Sequence, residues 1–172
     1  PTTHAMMDRI ASVARLIAPM DEYFEQYVLL LPEQRKAVAH GAAAAGAELI
    51  TCGYHRCAFA LGPTEVLKVA KGRQGCLANQ RERDLWASAP TAWRRFLMPI
   101  HAASADGRWL VMRRSPRLPP EDWFAYVPTG EASPDYPLWP AVPEELIGAT
   151  GDPENLHNWG MLRGRPVMID YA

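Results

Sequence analysis

Residues 65–70 read Glu65-Val66-Leu67-Lys68-Val69-Ala70, an apolar run with a lysine at its centre. Its apolar, β-branched character predicts a strand. A lysine in the middle of such a strand is costly to bury unless an opposite charge meets it. The candidate partner is Glu82, in Asn79-Gln80-Arg81-Glu82, within a stretch over 75–88 that carries Leu77, Leu85 and Trp86 on one side. That spacing predicts a helix, ended by Ala89-Pro90, with Leu77, Leu85 and Trp86 as its apolar face. Glu82 lies on a turn able to face the strand. A lone Lys or Glu is usually a solvated charge, so the strand context singles out this pair.

Upstream, residues 49–51 and 57–61 are short β-prone runs set off by Gly53 and Gly62-Pro63. With 66–70 they predict three consecutive antiparallel strands. Downstream, residues 99–104 and 109–113 flank Asp106-Gly107, a strong hairpin dipeptide. The order is three strands, one helix, two strands. Ahead of them, Ile10, Val13, Leu16 and Ile17 recur at helical spacing up to Pro19, and Phe24, Tyr27, Val28 and Leu31 repeat the pattern up to Pro32. Pro32 suits the first position of a third helix, with Glu33 in its first turn, running through an alanine-rich stretch to Gly46. Residues 7–47 form a helical leader, and residues 1–6 read as vector-derived. Residues 115–145 contain eight prolines among Trp123, Phe124, Tyr126, Tyr136 and Trp139, a connector packed by aromatics. Residues 159–162 and 166–169 then surround Arg163-Gly164-Arg165 as a final hairpin.

At 172 residues, 48% of them apolar, the chain suffices for one core divided between two small lobes. Its net charge of −1 conceals eleven Lys/Arg against three Asp/Glu in residues 68–117. That excess is either an anion site or a solvated basic face. No nucleic-acid motif accompanies it, so a nucleic-acid partner is not expected. Cys52, Cys57 and Cys76 are odd in number and lack CxxC spacing, which indicates neither a disulfide framework nor a zinc site and predicts a reducing, cytoplasmic setting. No apolar run is long enough for a membrane span.

Phosphoryl transfer needs a cation on the phosphates, an anion to aim it, and oxygen ligands for Mg²⁺. Lys68 and Glu82 supply the first two. Asn158-Trp159-Gly160 and Asp170-Tyr171-Ala172, about a dozen residues apart with a tight hairpin between, supply an amide and a carboxylate. In this order the motifs resemble the protein-kinase-like superfamily, in particular its small bacterial and bacteriophage members, over residues 48–172. By that resemblance Gly53 to Leu61 is the phosphate-covering hairpin, and Trp109-Leu110-Val111-Met112 leads to the adenine hinge. Asn158 and Asp170 bind metal, with Asp-Tyr-Ala where kinases carry Asp-Phe-Gly. The resemblance implies an α+β fold: residues 48–114 a five-stranded antiparallel N-lobe sheet with one pairing helix, and residues 115–172 the connector and a strongly reduced C-lobe. ATP and Mg²⁺ are the implied cofactors, with Gly53, Lys68, Glu82 and Met112 binding nucleotide.

The sequence departs from the family in three places. The loop after Gly53 reads Tyr54-His55-Arg56-Cys57-Ala58, without the second and third glycines. The catalytic aspartate belongs five residues before the metal asparagine, but Pro153 stands there, flanked by Asp152 and Glu154; Asp152 is the candidate base. The given sequence also stops at the metal motif, without the segments that dock peptide substrates. The expectation is a kinase-like ATP/Mg-binding protein, weak or inactive as a phosphotransferase, that acts by binding a macromolecule such as a host protein. The alternative is an active ATP-dependent phosphotransferase using the same four residues. His101 and His157 lack a partner at defined spacing, Cys57 sits in an apolar strand, and Ser104 and Ser115 lack a nucleophile-elbow context.

Overall fold

The computed structural model describes residues 3–17, 29–116, 142–150 and 155–170. The expected second leader helix falls largely, and the aromatic connector mostly, outside the described residues, as do Asp152, Pro153 and Glu154. The chain divides into two units, residues 1–83 with 100–114, and residues 84–99 with 115–172.

The first unit is built on a five-stranded sheet. Its strands are β1 (Glu48–Cys52), β2 (Arg56–Ala60), β3 (Glu65–Ala70), β4 (Ile100–Ala103) and β5 (Trp109–Arg113). They lie in the order β1-β2-β3-β5-β4, and every neighbouring pair is antiparallel. Helix α1 (His4–Ile17) begins ahead of Ile10, the first residue of the apolar spacing, and α2 (Pro32–Ala44) opens on Pro32 as that residue's fixed φ favours. Leu29 to Leu31 lie outside any helix.

Strand alternation sorts the sheet into two faces. Phe59, Leu67, Val69 and Val111 point to one face and form a buried cluster with Ile10, Val13 and Ile17 of α1 and Val38 and Ala42 of α2. The leader helices therefore cover one side of the sheet. The intervening residues of β3, Lys68 among them, belong to the opposite face.

Cys52 and Cys57 correct the sequence reading. The β1–β2 register sets them directly opposite, with Cα atoms 4.0 Å apart, and they are joined as a disulfide. A short turn between two strands brings together residues that spacing alone does not pair, and the cysteines therefore give no support to a reducing compartment. Among the described residues no helix is long and apolar enough to cross a membrane.

After β3 comes α3 (Arg73–Ser88), and the second unit adds α4 (Thr91–Arg94), α5 (Glu144–Ala149), a 3₁₀ turn (Leu156–Asn158), and the hairpin β6 (Trp159–Leu162) and β7 (Arg165–Met168). The hairpin closes through Arg163 and Gly164, both left-handed at φ 53° and 74°, as a two-residue type I′ turn demands. Met168 is anchored to the 96–98 segment, donating from its N–H to the Phe96 carbonyl at 2.7 Å and accepting from the Met98 N–H at 2.9 Å. Trp159, Val167 and Met168 are buried.

Candidate functional site

Burial along α3 differs from its hydrophobic pattern. Gly75, Asn79 and Glu82 are the buried residues, whereas Leu77, Leu85 and Trp86 are half-buried. The expectation of an inward apolar face is overturned for a physical reason: Glu82 goes inward because cations wait for it. Gly75 goes inward because a Cβ there would collide with the His55 carbonyl and press on Ala70. Asn79 is fixed by donating from Nδ2 to the Gly107 carbonyl at 2.8 Å, at the tip of the β4–β5 hairpin.

Lys68 and Glu82 meet as the sequence predicts. The Lys68 Nζ donates to both Glu82 oxygens, at 2.8 and 2.9 Å, with Glu82 fully buried and Lys68 6% exposed. A buried ion pair survives only with good geometry and further hydrogen bonds. Here Arg56 provides them: its Nη1 donates to Glu82 Oε1 at 2.7 Å and to Asn79 Oδ1 at 3.3 Å. Arg56 reaches them because β2 alternation puts it, with Ala58, on the Lys68 face, where Ala58 pairs with Lys68 and Arg56 with Ala70.

The loop over 53–56 is held from below by Lys71, which is 1% exposed. Its Nζ donates to the Gly53 carbonyl at 2.8 Å, and its own N–H donates to the His55 carbonyl at 2.9 Å. Burial lowers the Lys71 pKa from its ordinary 10.5. Met112 lies in β5 opposite Val66, on the Lys68 face and 2% exposed.

In the second unit, Asn158 and Asp170 are brought together through the main chain. The Asn158 carbonyl accepts from the Ile169 N–H at 2.7 Å and the Asp170 N–H at 3.3 Å, and both residues are half-buried. An amide and a carboxylate are hard oxygen donors of the kind Mg²⁺ takes when phosphates complete its shell. Among the described residues no group of three or more His, Cys, Asp or Glu side chains is gathered to hold a metal by itself.

The other candidates have structural surroundings. His101 Nδ1 is 3.6 Å from Glu65 Oε1 on a partly exposed surface. Ser104 Oγ accepts from the Trp109 N–H at 3.0 Å, and Ser115 Oγ donates to the Met161 carbonyl. Much of the basic excess over 68–117 braces the main chain: Arg83 donates to the Ser104 and Ala105 carbonyls, Arg94 to those of Ala87 and Ala89, and Arg114 to that of Gly62.

Arg56, Lys71 and Asn79 are the site residues that sequence reasoning missed. Gly75, Asn79 and Glu82, at i, i+4 and i+7, form a helical stripe legible in the sequence, but only a rule that admits polar stripes would find it. Nothing in the sequence marks Arg56 until the β2–β3 register is known. No protein-family model, no curated protein and no solved structure matches this chain.

Proposed function

We propose that this chain is a kinase-like nucleotide-binding protein whose Lys68, aimed by Glu82, receives the phosphates of ATP, and that it acts chiefly by binding another macromolecule. The observation that carries the reading is the buried two-oxygen contact between Lys68 and Glu82 at 2.8 and 2.9 Å. An ammonium held this way on a sheet face is oriented in advance, which is what a phosphate-binding cation requires. Ala58, Ala60, Val66 and Met112 share that face by register, and the half-buried Ala58 and Val66 give it apolar surface suited to a purine ring. Asn158 and Asp170 would hold Mg²⁺, which neutralises charge on transferring phosphates when bound.

Feeble turnover follows from the sequence around the missing base. Pro153 occupies the position of the catalytic aspartate, and proton transfer by a positioned side chain contributes about 10²–10⁴-fold to a rate. Thermal-shift titration with ATP, with and without Mg²⁺, tests binding, since a ligand of the native state raises stability by mass action. A Mg²⁺-enhanced rise in melting temperature is expected; an unchanged melting temperature at millimolar ATP refutes the nucleotide reading. The rival reading, an active phosphotransferase, is favoured by the joining of Asn158 and Asp170 at the hairpin. Radiolabelled-phosphate transfer lost in both Asp170→Ala and Asp152→Ala would establish it, and pull-down of a macromolecular partner unaffected by either substitution would support the binding role.

A further inference from the structure

We propose that Arg56 is a second phosphate-gripping residue, a side chain that holds the phosphates beyond the first where the glycine-poor loop cannot. The inference rests on the nucleotide reading above and adds to it a residue that the family pattern does not supply.

Three features of the first unit support it. Arg56 ends the loop over 53–56 and begins β2, and the register places it on the Lys68 face. Its Nη1 and the Lys68 Nζ bond to the same oxygen, Glu82 Oε1, at 2.7 and 2.8 Å, so the two cationic heads lie no farther apart than those two bonds laid end to end. That separation is within the about 4–6 Å over which charges act directly on one another. An anion drawn to Lys68 therefore lies within reach of Arg56. Of these three groups two are cationic and one anionic, so Arg56 adds a positive charge beside the Lys68–Glu82 pair, which is neutral by itself.

The loop itself explains why a side chain is needed. Its Gly53 and His55 carbonyls are held by Lys71, and Gly75 lets α3 approach the His55 carbonyl so closely that a Cβ would collide. A loop clamped at two carbonyls and carrying Tyr54, His55 and Arg56 in place of glycines does not fold its amides closely over phosphate oxygens. A guanidinium instead offers a planar fork of donors matched to phosphate. Asn79, itself fixed by the Gly107 carbonyl, accepts from Arg56 Nη1 and limits how far the fork can stray.

The bland role for Arg56 is a clasp that only neutralises Glu82, and ligand discrimination separates the two. The 172-residue chain, as wild type, Arg56→Ala and Arg56→Lys, is titrated calorimetrically with ATP, AMP and inorganic triphosphate, with folding checked by circular dichroism. Arg56→Ala is expected to weaken ATP and triphosphate by about tenfold or more, as for a lost charge-assisted hydrogen bond, and to leave AMP within about twofold. Arg56→Lys, which keeps the charge without the fork, is expected to fall between. Should Arg56→Ala not fold, Arg56→Lys decides: ATP affinity equal to wild type overturns the proposal. So does an Arg56→Ala protein that binds ATP like wild type, or one that weakens AMP as much as ATP; in each case the nucleotide reading stands. Wild type that binds none of the three ligands overturns both.

Discussion

Lys68 and Asn158 are positioned by different physics. Lys68 sits in a strand of a five-stranded sheet and is held by side chains: Glu82 takes its ammonium, Arg56 shares the carboxylate, and Asn79 steadies Arg56. Asn158 sits beside a two-stranded hairpin and is held to Asp170 by its main-chain carbonyl. In the first unit the Lys68 and Glu82 charges are buried, so each must find a charged or hydrogen-bonding partner or the fold is penalised, and there side chains supply it. In the second, the Asn158 and Asp170 side chains are half-buried, and a main-chain carbonyl ties their residues together whatever the side chains add. A network of side chains is precise and vulnerable to single substitutions, whereas a backbone link keeps its geometry when side chains change.

The sharpest way to break this contrast is to remove the shared carboxylate. Glu82→Ala leaves Lys68 and Arg56 without their common partner in a fully buried position, and is expected to cost about 3–5 kcal/mol in urea unfolding. Glu82→Gln, which keeps the shape and a hydrogen-bond acceptor, is expected to cost less. A loss below about 1 kcal/mol for Glu82→Ala would mean that water enters the site and screens it.

Asn158→Ala is the matching test in the second unit. The carbonyl that accepts from Ile169 and Asp170 survives the substitution, so the expected loss is no more than about one hydrogen bond, 0.5–1.5 kcal/mol. Its functional effect is expected to be larger than its structural one: the Mg²⁺-dependent part of the ATP thermal shift is expected to disappear in Asn158→Ala and Asp170→Ala. A destabilisation equal to that of Glu82→Ala would erase the distinction between the two units.

Lys71 sharpens the comparison through pH. Its folded pKa is lowered by burial, so between that value and the ordinary 10.5 the unfolded chain binds more protons than the folded one. Stability from this group is therefore level below the folded pKa and rises with pH across that window. Urea unfolding of wild type and Lys71→Met over alkaline pH is expected to show the rise in wild type and a flatter profile in the variant.

The smallest effect belongs to Asp106, whose carboxylate accepts from the Arg108 N–H at 3.0 Å in the β4–β5 turn. That backbone bond, with a contribution from Ser104, lowers its pKa from 3.8. Its stabilisation is present above 3.8 and lost as pH falls through the folded value, and Asp106→Asn is expected to remove that acid sensitivity together with the small share of stability that the charge contributes at pH 7.

The sequence by itself determined the sheet and the ion pair. Alternating and β-branched runs have a period of two that survives in any context, so all five strands were legible with shifts of a residue or so at their ends. The Asp106-Gly107 and Arg163-Gly164 turns announced both hairpins through their backbone needs. Lys68 was legible because a central lysine in an apolar strand is expensive, and the following helix offered the carboxylate to answer it. Only the tertiary structure decided which face of α3 turns inward, because hydrophobicity favours Leu77, Leu85 and Trp86 while ion pairing and close approach favour Gly75, Asn79 and Glu82. The same holds for Arg56, Lys71 and the Cys52–Cys57 pair. Their partners lie across strands or on another element, and the strand register of the folded sheet brings them together.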